Sequence, residues 1–116
     1  MTDDLNALVR RKTKARLGEL FRRSAQWAST EGKRMAEEGA EATAVHLREA
    51  ATAFRKGQRD RGVAHLEKAV GEAKTERKPE ASKEIGEQVT SIQAGLDSIR
   101  AEVLPGESHP VMPGEE

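Results

Sequence analysis

The chain has 116 residues, of which 35% are hydrophobic and 34% charged, with no cysteine, one tryptophan and a formal net charge of zero. That length holds one domain, and the lack of cysteine excludes disulfides and thiolate chemistry. No apolar run exceeds three residues, too short for a transmembrane helix or the apolar region of a signal peptide, so a cytoplasmic protein is expected.

The balanced charge is unevenly placed. Residues 1–34 carry nine basic and four acidic side chains, a net +5, and residues 35–116 carry eleven basic and sixteen acidic ones, a net −5. Such asymmetry describes a basic arm on an acidic body. The abundance of Ala, Glu, Lys, Arg and Leu marks an all-α protein. Between Leu5 and Leu104 only 21 residues are Val, Ile, Leu, Met, Phe or Trp. A core that thin predicts burial shared with a protein partner or a second copy in a homo-oligomer.

Helix one is predicted to start at Thr2 or Asp3, where a capping side chain and two aspartates suit the positive end of a helix. Leu5, Leu8 and Val9 form one apolar turn, followed by the basic run "RRKTKAR" at 10–16. Leu17, Leu20, Phe21, Ser24, Trp27 and Ala28 then recur at helical spacing, and Met35 extends the face. Trp27 reads as core. Gly32 and Gly39 are the weak points, each disfavoured by about 1 kcal/mol against alanine inside a helix.

Helix two is predicted from Ala40 to Phe54, with Ala40, Ala44, Leu47, Ala51 and Phe54 on one side and Gly57 placed to end it. Helix three begins near Arg59 or Asp60 and carries Val63, Leu66, Ala69, Val70 and Ala73. Pro79 forces Lys78 out of helical geometry and suits a first helical turn. Helix four has the cleanest period: Ile85, Val89, Ile92, Leu96, Ile99 and Val103. These six form the candidate interaction face, with isoleucine at the d-type positions favouring a bundle of three or more helices, within one chain or between copies, over a two-stranded seam. Pro105 and Gly106 stop the helix. The domain therefore spans 1–105, with 1–16 as its basic arm, and 106–116 is expected to be a flexible tail.

Within the predicted helices two and three, residues 46–74 carry small residues at Ala50, Gly62 and Ala69, a large one at Leu66, and a turn glycine at 57. In these positions the segment resembles a single tetratricopeptide repeat, in which two helices cross closely through small residues. His46, Glu49, Ala53 and Lys74 depart from that pattern, where it prefers tryptophan, leucine, tyrosine and proline. The resemblance implies a helical hairpin in a protein-interaction scaffold. The expected fold is a small bundle of about four helices with a long first helix and a tetratricopeptide-like central hairpin.

Arg10, Arg11, Lys12, Lys14 and Arg16 are the candidate polyanion contacts. Five cations in seven residues neutralise phosphates, but on a helix they spread around the circumference and suit backbone contact better than base reading. No aromatic residue is interleaved for stacking on bases. The turn "RKGQRDR" sets Arg55, Lys56, Arg59 and Arg61 against Asp60 and would extend such a surface. His46 lies twelve residues before Gln58 and His65 seven after it, a mismatch of about 7 Å along the helix axis at 1.5 Å per residue. The two imidazoles are therefore expected to stand apart, and neither has an HxxxH or ExxH companion, so no metal site is predicted. Glu72 and Glu76 are expected to pair with Lys68 on one helix face. No nucleophile, glycine-rich loop or cofactor motif is recognisable. The sequence thus points to a non-enzymatic interaction or assembly protein without cofactors. The alternative is a small protein that binds nucleic acid non-specifically through its basic helix.

Overall fold

A computed structural model describes residues 2–103, with side chains over 8–101. They form four helices: α1 (Thr2–Glu37), α2 (Glu41–Arg55), α3 (Arg59–Thr75) and α4 (Pro79–Val103). None is long and apolar enough to cross a membrane. The expected tail at 106–116 lies outside the described residues.

Three tight corners join the helices, and all are built alike. After α1, Ala40 N–H donates to the Met35 carbonyl and Gly39 N–H to Ala36; after α2, Gln58 donates to Ala53 and Gly57 to Phe54; after α3, Lys78 donates to Ala73 and Arg77 to Lys74. This double closure satisfies carbonyls that a helix end leaves unpaired, and it requires one left-handed residue. Gly39 (φ 85°) and Gly57 (φ 74°) fill that position at two corners, but at the third it is Arg77 (φ 62°). The chain then re-enters a helix at once, because the carbonyls of Ala40, Gln58 and Lys78 accept from Ala44, Gly62 and Ser82. Pro79 takes the first position of α4, where its missing N–H is not needed.

Each corner reverses the chain, so neighbouring helices run antiparallel. α1 packs on α2, α2 on α3, α3 on α4, and α4 returns to α1, an up-and-down arrangement. Alanine dominates the interior: Ala25, Ala28, Ala44, Ala50, Ala51, Ala69 and Ala73 are all buried, around Met35, Leu47, Phe54, Leu66, Ile85, Val89 and Ile92. Trp27 packs against this core while remaining partly exposed. The small positions of the central hairpin are buried, as is Leu66. Gly32, expected as a weak point, lies inside α1 at a close approach to α2. A Cβ there would stand 3.4 Å from both the Leu47 Cβ and the Ala44 carbonyl oxygen.

Glu76 does not pair with Lys68. It sits at the carboxyl end of α3 and caps α2, whose own cap residue Ala40 offers no side-chain acceptor. Its carboxylate accepts from Ala42 N–H at 3.0 Å, Thr43 N–H at 2.9 Å and the buried Thr43 hydroxyl at 2.6 Å. Burial works to raise its pKa. The hydrogen bonds from the Thr43 hydroxyl, the Thr43 amide and the Ala42 amide outweigh that and hold it below the ordinary carboxylate value. A carboxyl with a depressed folded-state pKa contributes stability that is present above its unfolded value and lost as pH falls through its folded one. Glu76→Ala should therefore lower stability at neutral pH by about 1–2 kcal/mol, the worth of a helix cap. In urea titrations, the difference from the parent chain should close as the pH drops below the carboxylate range. Parallel stability curves down to acid pH would show that the cap carries no weight. A second fastening lies nearby, where Glu38 binds Lys78 at 3.1 Å and Arg34 reaches Glu31, Glu38 and Glu84.

Candidate functional site

Arg10, Arg11, Lys12, Lys14 and Arg16 all lie on the amino-terminal half of α1, and all five are exposed. Among residues 8–16 only Val9 and Thr13 are half-buried. With the half-buried Leu17 they form a stripe at intervals of four, the face of the helix that meets the body. The cations occupy the remaining circumference, so the arm presents charge on several sides and has no single reading face.

Where this arm meets the body lies a concavity of about 670 Å³. Thr13, Leu17 and Phe21 come from α1, Gly57 and Gln58 from the α2–α3 turn, Arg59, Asp60 and Arg61 from the first turn of α3, and Leu96, Ile99 and Arg100 from α4. Leu17, Phe21, Leu96 and Ile99 supply apolar surface, while Arg59, Arg61 and Arg100 supply cations and Asp60 a single carboxylate. That carboxylate is engaged by the Arg59 Nε at 3.0 Å. Phe21 stacks on the buried Phe54, with ring centroids 6.1 Å apart, which fixes one wall of the groove.

The face on α4 lies mostly inside the chain. Ile85, Val89, Ile92 and Ile99 are buried and Leu96 is half-buried, packing with α1 and α3; the Val103 side chain lies outside the described residues. Of the two packings that the heptad pattern allows, within one chain or between copies, this is the first.

The two histidines do meet, contrary to the expectation from their spacing. The Nδ1 atoms of His46 and His65 are 3.4 Å apart, and the rings stack with centroids separated by 5.7 Å. The expectation counted every residue as rising along a helix axis from Gln58. In fact α2 ends at Arg55 and α3 starts at Arg59, and the corner between them adds little axial length. Counted from those ends, the mismatch is three residues, about 4.5 Å, which imidazole side chains span. Glu49 joins them, its Oε1 lying 3.3 Å from His65 Nδ1 and 3.9 Å from His46 Nδ1. The sequence carried a signal for this cluster in the HxxE pair His46–Glu49, whose i,i+3 spacing places both side chains on one helix face.

No protein-family model, curated protein or solved structure matches this chain.

Proposed function

We propose that the chain is a non-enzymatic, cytoplasmic interaction protein whose groove between α1, the α2–α3 turn and α4 receives an acidic amphipathic helix from a protein partner. The observation that supports this reading is the joining, in one concavity, of an apolar floor (Leu17, Phe21, Leu96, Ile99) with Arg59, Arg61 and Arg100. A helix laid in such a groove places leucine-like residues on the floor and carboxylates against the arginines. The exposed basic turns of α1 continue the same positive field. A nucleic acid would use the cations but has no need of the apolar floor.

Titration with a fluorescent synthetic helix, leucines on one face and glutamates on the other, tests the assignment. Binding should be abolished when the glutamates become lysines, and weakened by about tenfold or more in Leu17→Asp and in Arg61→Glu. Arg61 is an exposed residue in the first turn of α3, so the second variant keeps the test valid if the first is poorly folded. Failure of the acidic helix to bind would overturn the proposal. Tight, steeply salt-dependent binding of duplex DNA, lost on neutralising the five cations at 10–16 but not in Leu17→Asp, would replace it with the nucleic-acid reading.

A further inference from the structure

The histidine pair lies in matching sequence contexts, "AVHLREA" in α2 and "VAHLEKA" in α3. In each, the leucine that follows the histidine, Leu47 or Leu66, is fully buried. That anchors both backbones and leaves the imidazoles side by side at the hairpin surface, with side chains 22% and 25% exposed. Potential ligand atoms of His46, Glu49 and His65 all lie within 4.8 Å of one another.

Their spacing matches the demands of a metal. Two nitrogens each about 2.0–2.1 Å from a tetrahedral Zn²⁺ stand about 3.3–3.4 Å apart, and the observed Nδ1–Nδ1 separation is 3.4 Å. The Glu49 oxygen, at 3.3 and 3.9 Å from the two nitrogens, lies close to the third corner. On the far side of the His46 ring, Glu72 Oε2 is 4.0 Å from Nε2. A small side-chain adjustment makes it the carboxylate that receives the second ring N–H of a metal-ligating histidine. Two imidazoles and one carboxylate suit zinc and its neighbours in the first transition row rather than Mg²⁺ or Ca²⁺, which favour all-oxygen sets. Without a metal, a hydrogen bond between the two nitrogens requires one ring protonated at Nδ1 and the other at Nε2.

We infer that His46, Glu49 and His65 form a site for a divalent transition-metal ion, Zn²⁺ foremost, which clips α2 to α3. Three protein ligands leave one position for water or for a group from another molecule. The site is built independently of the groove, so either assignment can fail without the other.

Calorimetric titration of the metal-free full-length chain with ZnCl₂ should show one ion per chain, and Co²⁺ should give the intense visible absorption of a tetrahedral complex. Zn²⁺ should raise Tm, because an ion that binds only the folded state stabilises it. His46→Gln and His65→Gln should each weaken Zn²⁺ binding by at least about tenfold and remove the Tm shift. Glu49→Gln should weaken binding, and His109→Ala should leave it intact. Comparing melts with and without Zn²⁺ within each variant separates metal binding from any effect on the fold. Lack of saturable binding at micromolar Zn²⁺, an octahedral Co²⁺ spectrum, or full affinity in the His46→Gln/His65→Gln double variant would overturn the assignment.

Discussion

Ile92→Asp should unfold the chain. Ile92 is 1% exposed and lies in the core cluster with Ile85 and Val89 of the same helix. Because alanine fills so much of that core, a few large side chains hold most of the buried apolar surface. A carboxylate at 92 would have to be buried unpaired or protonated, at a cost of several kcal/mol. A domain of this size has only about 5–15 kcal/mol in total. Far-UV circular dichroism should show lost or broadly melting helix, whereas Ile92→Val, which removes one methylene, should cost about 0.5–1.5 kcal/mol and melt cooperatively. An Ile92→Asp protein melting within a few degrees of the parent would show that α4 is peripheral to the fold.

What could be read in the sequence was what depends on near neighbours. The period of Ile85, Val89, Ile92, Leu96 and Ile99 identified the buried face of α4 because a helix repeats its faces regardless of its partner. Gly57 and Pro79 marked corners because a left-handed residue and a missing N–H have local meanings. Gly32 reads as a weak point because its intrinsic cost is local, whereas its close approach to Leu47 and Ala44 involves another helix and is not legible in the sequence. Glu76 was assigned to its own helix, whereas its partners Ala42 and Thr43 lie more than thirty residues earlier. The five cations at 10–16 were visible as charge. The groove beside them was not, since its walls come from three separate segments. The histidine cluster needed the exact reach of a corner, and an error of two residues in that reach separated rings that touch.

Alanine substitution at two glycines of α3 should have opposite effects, and this tests the hairpin most closely. At Gly71 a Cβ would find nothing within 4 Å, so Gly71→Ala should raise stability by about 0.5–1 kcal/mol through helix propensity alone. At Gly62 the added Cβ would overlap the Phe54 ring, lying 2.6 Å from its Cζ and 2.7 Å from its Cδ1. Phe54 is 1% exposed and stacked on Phe21, so the ring has little room to withdraw. Overpacking of this kind costs about 1–3 kcal/mol and sometimes more, which exceeds the propensity gain and makes Gly62→Ala destabilising. Trimming the ring should expose the coupling. In a Phe54→Leu background, itself less stable, Gly62→Ala should cost less than in the parent or become favourable, a non-additivity expected only of side chains in contact. Urea unfolding of the four proteins in that cycle measures it. If Gly62→Ala were as stabilising as Gly71→Ala, the close crossing of α2 and α3 at Phe54 would be wrong, and with it the register that brings His46 to His65.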